Sequence, residues 1–226
     1  MAKILVYNND TNRMEKYEKG ENDSMPYNEN GTLKVREFRG SSNSNILWTD
    51  KRTMETWNRQ RARYGKGIPV GFAFKRPWEG AHSTFSQHYA GTAFDVGQAL
   101  SSSERNALYN SAKNSGYWSY VEPQADTPTW VHFDKRYGTP SCSYGGYPLI
   151  TYGSVGIYVM IAQDDLNTLG YETGGFDGIF GNITLKSTKE YQRRVGLTVD
   201  GIIGCNTWRS LQESVLATGK TNTTVN

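Results

Sequence analysis

The 226-residue sequence predicts an α+β chain in two folded parts, an amino-terminal antiparallel sheet with helices and a small carboxy-terminal bundle of three helices. Three observations lead there. Short segments around residues 93–96 and 129–134 alternate apolar and polar residues as half-buried strands do. A stretch concentrated in Gly, Ser and Pro, residues 137–148, reads as a linker. Beyond it the octad Asp177-Gly178-Ile179-Phe180-Gly181-Asn182-Ile183-Thr184 returns as Asp200-Gly201-Ile202-Ile203-Gly204-Cys205-Asn206-Thr207, each copy a glycine-relieved turn that opens a helix.

Taken in order, residues 1–33 begin with an apolar run, Ile4 to Tyr7, then turn polar, and are expected to form an extension or small hairpin packed on the next domain. That domain is expected over 34–138, starting with the alternating Val35-Arg36-Glu37-Phe38 as its first strand. Residues 50–64 predict a helix capped by Thr49 or Asp50 and stopped at Gly65. An apolar strand over 68–74 delivers Lys75 and Arg76 to a loop. Ser101-Ser102-Ser103-Glu104 fits a capping box, and its helix ends at Gly116. Residues 118–122 alternate as a strand that Pro123 stops. The linker is set at 139–152, the helical bundle at 153–216 and a tail at 217–226. The three helices are expected over 155–169, 184–195 and 207–216, with apolar residues such as Val155, Val159, Ala162 and Leu166 at helical spacing.

The stretch Ser86-Gln87-His88-Tyr89-Ala90-Gly91-Thr92-Ala93-Phe94-Asp95 holds one of three histidines and an aspartate seven residues later. Neutral imidazole and carboxylate suit a divalent metal such as zinc. Alternation sends Phe94 to the core and Asp95 to the open face. A third ligand is available in Trp130-Val131-His132, where a period of two puts Trp130, His132 and Asp134 on one face. With three protein ligands a fourth position stays open, as in catalytic zinc sites.

These residues resemble the zinc peptidases of peptidoglycan stem peptides, the D-Ala-D-Ala carboxypeptidases and phage L-Ala-D-Glu endopeptidases that share a Hedgehog-like fold. The pattern S-x-H-x-x-G-x-A-x-D runs from Ser86 to Asp95 without a mismatch, and a W-x-H block follows at Trp130 to His132. The resemblance implies that His88, Asp95 and His132 bind one zinc ion (Zn2+). It also implies a substrate-facing arginine after the strand at 68–74, carried over to Arg76 with Lys75 second; a solvated surface cation is the plain alternative.

Such a peptidase needs a carboxylate as proton shuttle. The slot three residues before the last histidine holds Thr129, which cannot serve. Glu122, ending a strand, is the preferred general base because a strand holds it firmly; Asp126 in the following loop and Asp134 stay open. His82 is a candidate to orient substrate or stabilise an oxyanion, Ser86 to support the metal shell, and Trp130 and Tyr89 to wall the groove. Each has a structural explanation as well.

The second half resembles a peptidoglycan-binding domain of the repeated D-G-I-x-G-x-x-T type, with Gln163, Leu166, Leu169, Gly170, Tyr191, Gln192, Gly196, Leu197 and Trp208 on its pattern. That resemblance implies a wall anchor with a shallow groove near the two turns. A calcium loop is excluded because the alternating acids are missing. Cys142 and Cys205 are either one disulfide or two buried thiols.

The net charge of +3 gives no nucleic-acid footprint, and no run reaches the length of a membrane span. The first residues hold no secretory apolar region, so a protein made in the cytoplasm that meets the wall after lysis or by non-standard export is expected. The expected function is zinc-dependent hydrolysis of stem peptides, as carboxypeptidase or endopeptidase of endolysin or autolysin type, with peptidoglycan as partner. The alternative is a non-catalytic peptidoglycan-binding protein with a degenerate peptidase domain.

Overall fold

A computed structural model describes residues 1–80 and 82–219. The part of the expected tail from residue 220 onward lies outside the described residues. The architecture is mixed α+β, with three small sheets and six helices among the described residues.

The apolar start of the chain forms β1 (Ala2–Asn8), which pairs antiparallel with β2 (Arg13–Lys19). Val35–Arg39 is a short helix, α1, and not the expected strand. Its Val35 and Phe38 are buried, a spacing of three that suits one helical face, and the Glu37 carboxylate accepts from the Lys34 backbone N–H at 2.7 Å to close the first turn. β3 (Ile46–Asp50) then lies parallel to β1, giving the order β2-β1-β3. Residues 1–33 thus contain the expected small hairpin, and it is built into the next part: β1 is the central strand of a sheet completed from within 34–138.

Helix α2 (Lys51–Tyr64) starts where the Asp50 carboxylate accepts from the Thr53 N–H at 2.7 Å, and stops at left-handed Gly65. After it, β4 (Val70–Phe72) and β5 (Ala93–Val96) are followed by α3 (Ser102–Lys113), whose capping box joins Ser101 and Glu104 reciprocally. The second sheet is completed by β6 (Tyr120–Val121) and β7 (Val131–Asp134) in the order β4-β5-β7-β6, antiparallel throughout. Phe94, Val96, Val131 and Phe133 point into the core. The β5–β7 register places Asp95 directly opposite His132.

The expected linker folds as a hairpin of β8 (Pro140–Cys142) and β9 (Gly145–Pro148). A Cys142–Cys205 disulfide fastens it to the last helix. Helices α4 (Ile157–Thr168), α5 (Asn182–Arg194) and α6 (Cys205–Ala217) form the carboxy-terminal bundle, with α4 packed on both others. Nearly every side chain of α4 is buried, because the helix is covered by its own bundle and by the amino-terminal part. Buried apolar residues from Ala2 to Leu211 make one cluster.

The repeated octads have a common lock. The Gln163 side-chain amide donates to Asp177 Oδ1 (2.7 Å), the Ile179 carbonyl and Thr184 Oγ1, and its oxygen accepts from Gly178 N–H. Gln192 repeats this with Asp200 Oδ1 (2.9 Å), the Ile202 carbonyl, Thr207 Oγ1 and Gly201 N–H. Both glutamines are buried, so these bonds satisfy groups that water does not reach. The Asp, Gly and Thr of each octad are accounted for by this lock.

Candidate metal centre

The loop carrying His88 hangs from β3. Trp48 Nε1 donates to the Tyr89 carbonyl at 2.8 Å, and Thr49 Oγ1 to the Gly91 carbonyl at 2.7 Å. Gly91 has φ +65°, and a Cβ there would lie 1.9 Å from the Trp48 carbonyl oxygen, so only glycine fits. This close approach is the physical content of the glycine in the motif.

His88, Asp95 and His132 converge, each offering an atom within 4.8 Å of the others. Asp95 Oδ2 lies 3.3 Å from His88 Nε2, and Asp95 Oδ1 lies 2.7 Å from His132 Nδ1. Ligands bound tetrahedrally at about 2 Å stand roughly 3.3 Å apart, so the cluster is near the size a zinc ion needs. The outer nitrogens are held as well. His88 Nδ1–H donates to the Ala73 carbonyl at 3.0 Å, which fixes the tautomer with Nε2 free, and His132 Nε2 faces Asp134 Oδ2 at 3.2 Å. Imidazoles fixed from behind by a carbonyl and a carboxylate are the usual support of a metal ligand set. The three residues fit the group.

The carboxylates govern the charge of the cluster. Burial pushes the Asp95 carboxyl up, but the His132 hydrogen bond and the neighbouring His88 imidazole overcome it and hold the group far below the usual carboxylate range. Burial likewise pushes His132 down, while Asp134 and Asp95 hold it up to about 9. The cluster thus keeps a positive charge between carboxylates, and a bound cation would take the place of the His132 proton.

Around the cluster lies an open cleft of about 740 Å³. Glu122 lines it, and its backbone N–H donates to the His132 carbonyl at 3.0 Å. Tyr120 also lines it, whereas Trp118, expected on the same strand face, stacks on Phe133 in the core. Asp126 is exposed on its loop and is not part of the lining. Asp134 is fully buried, engaged by His132 and by Arg136, so it backs the cluster. Trp130 lines the cleft; Tyr89 is core. The Ser86 hydroxyl accepts from the backbone N–H of His88 at 3.3 Å and steadies the loop, not the ring. His82 stacks on His88 with ring centroids 4.6 Å apart, and burial, with the His88 ring beside it, lowers it to about 4, so it is neutral near pH 7.

Arg76 is a correction. It does not face the cleft: its side chain is 2% exposed, it pairs through Nε and Nη2 with Asp164 of α4, and it lies among Trp48, Trp78 and Phe176. A guanidinium in such a place holds the two halves of the chain together. Lys75 lies over the Phe72 ring and is also outside the lining. The cations in the cleft are Arg136 and Arg209, neither of them visible in the motif blocks. Arg136 sits two residues past Asp134, and Arg209 comes from the far half, where no sequence spacing signals contact.

Residues 156–211 match a peptidoglycan binding domain, and the carboxy-terminal helical bundle carries that match. A protein of Kitasatospora aureofaciens, named for its position in the bpoA1 3' region, is 37% identical over 78 residues, which cover 32% of this chain and 66% of that relative. A solved peptidoglycan-binding protein of Clostridioides difficile, in complex with glutamine hydroxamate, is 38% identical over 32% of this chain and 45% of that one, with a TM-score of 0.30. The chain thus spans less than two thirds of the length of either. Among the described residues, no helix is long and apolar enough to cross a membrane.

Proposed function

We propose that this protein is a zinc-dependent peptidase of peptidoglycan stem peptides, with a Hedgehog-like peptidase part and a carboxy-terminal wall-binding module. The observation that carries the reading is the convergence of His88, Asp95 and His132, backed by Ala73 and Asp134, at the floor of an open cleft. The wall-binding assignment rests on the match over residues 156–211.

His88 Nε2, the Asp95 carboxylate and His132 Nδ1 would hold the ion. When bound, zinc supplies a Lewis acid for a peptide carbonyl and lowers the pKa of water to near neutrality. Glu122 takes the proton of the attacking water and returns it to the leaving amine; its backbone bond to His132 keeps it beside the ligand set. Asp126, exposed and outside the lining, is the weaker candidate for that proton. Ala73 and Asp134 hold the imidazoles in the tautomers the site requires. Arg136, anchored on Asp134, presents a cation at the cleft for a substrate oxygen.

The wall-binding module offers a shallow groove of about 350 Å³ beside its second octad, lined by Leu149, Leu197 and Thr198 among others. Incubating the full chain with purified walls tests both parts. Release of peptide amines that a chelator stops and added zinc restores is the expected result. Wall binding without chelator-sensitive release would leave only a peptidoglycan-binding protein.

A further inference from the structure

The cleft is not made by the amino-terminal part alone. One of its rims is formed by Tyr144 of the β8–β9 turn and the first two residues of β9, Gly145 and Gly146, and by Arg209 and Glu213 of α6, a helix of the carboxy-terminal module. The Cys142–Cys205 disulfide ties that turn to the first residue of α6. Arg209 follows Cys205 by one helical turn and Glu213 follows Arg209 by one more, so all three share a face.

Arg209 is held out by a neutral group. Its Nε donates to the Tyr144 hydroxyl at 3.0 Å, its Nη2 donates to the same hydroxyl and to Cys205 Sγ, and its guanidinium lies over the Tyr144 ring. No carboxylate lies within ion-pair distance of it among the described residues, although Glu213 is close enough for its charge to be felt. Glu213 is exposed and makes no hydrogen bond among the described residues. An arginine placed before a glutamate at this spacing is the less favourable order for a helical ion pair. The helix therefore presents a cation without an ion-pair partner and an exposed anion, side by side, at one end of the cleft.

We infer that Arg209 and Glu213 form a subsite for a zwitterionic amino-acid group, the free ammonium and carboxylate that end the side chain of a diamino-dicarboxylic acid residue in a stem peptide. This rests on the peptidase reading and makes the carboxy-terminal module part of substrate selection as well as an anchor. With its Nε/Nη2 edge on Tyr144, Arg209 takes the carboxylate through Nη1 and the outer hydrogen of Nη2, and Glu213 accepts from the ammonium. Tyr144, steadied by the disulfide, aims the guanidinium. A lysine at the same position of the peptide offers the ammonium alone and leaves Arg209 without its partner.

Calorimetry of the full chain with two soluble peptides tests this: L-Ala-γ-D-Glu-meso-diaminopimelate and the same peptide ending in lysine. The expected result is a preference of about tenfold for the first, the value of one charge-assisted bond. Arg209→Ala should erase the preference and Arg209→Lys should keep part of it, whereas Glu213→Ala should weaken both peptides alike, because both offer the ammonium. Equal affinity of the native chain for the two peptides, or a preference that survives Arg209→Ala, overturns the inference. Binding needs no turnover, so a failure of wall hydrolysis would strike the peptidase reading and leave this measurement to stand on its own.

Discussion

Asp95 and His132 face each other across the β5–β7 pair, and their side chains meet at 2.7 Å. A two-strand register thus joins residues thirty-seven apart, and the His88 loop needs only to fold over them. Because alternate residues of both strands fill the core, a slip of one position would turn one of the two side chains inward and part the pair. The ligand pair is as secure as the sheet.

Glu122→Gln keeps the shape of the side chain and removes its basicity. Hydrolysis should fall by roughly 10²- to 10⁴-fold with zinc content unchanged. Parallel zinc assay and rate measurement check this; a variant that keeps native rates would assign the proton to another acid, with Asp126 next.

Arg76→Ala leaves Asp164 buried without its partner. Stability should drop by about 3–5 kcal/mol, read from denaturant midpoints. Joint replacement, Arg76→Met with Asp164→Leu, should recover most of the loss, since an apolar pair needs no solvation. The KM of that double variant for stem peptides should match the native value; a large rise would return Arg76 to the substrate.

Gly91→Ala places a methyl against the Trp48 carbonyl at a positive φ. The cost should be at least about 2 kcal/mol, the range of a buried steric fault. Zinc affinity should fall with it, because the same loop carries His88. A thermal midpoint within error of native would show that the Trp48–Gly91 approach is not obligatory.

Asp165 of α4 has a carboxyl pushed well above its ordinary range by burial and by the charge of Asp164, with the Gln212 amide opposing. Its Oδ1 is buried without a hydrogen-bond partner, so the neutral, protonated form costs less there than the carboxylate. The folded chain therefore holds a proton that the unfolded chain releases above about pH 4. Stability contributed by this group is full below that pH and declines as pH rises toward the folded value. Asp165→Asn cannot ionise, so its stability relative to native should grow between about pH 4 and pH 7. Urea midpoints at both ends check the sign; a constant difference would refute it.

The site was more legible in the sequence than the frame that carries it. His88, Asp95 and His132 stood in two motif blocks, and strand alternation alone oriented Asp95 and His132. Capping residues Asp50 and Ser101 located α2 and α3 because a cap is a local event, decided within four residues. What failed was non-local. β3, although Ile46-Leu47-Trp48-Thr49 is rich in strand formers, is placed by pairing with β1, forty-three residues earlier. Val35–Arg39 alternates like a strand, yet burial of Val35 and Phe38 favoured a turn of helix. Arg76 looked like a loop cation because nothing in its neighbourhood announces Asp164, eighty-eight residues away. Arg209 and Glu213 reach the cleft only because the two halves dock.

The central claim is that three side chains hold one zinc ion. Elemental analysis of the full chain, dialysed against zinc and then against metal-free buffer, measures it directly. One zinc per chain, lost in Asp95→Ala while the circular dichroism of the fold persists, is the predicted result. A native chain that retains no stoichiometric zinc, or an Asp95→Ala chain that retains it fully, would contradict the account.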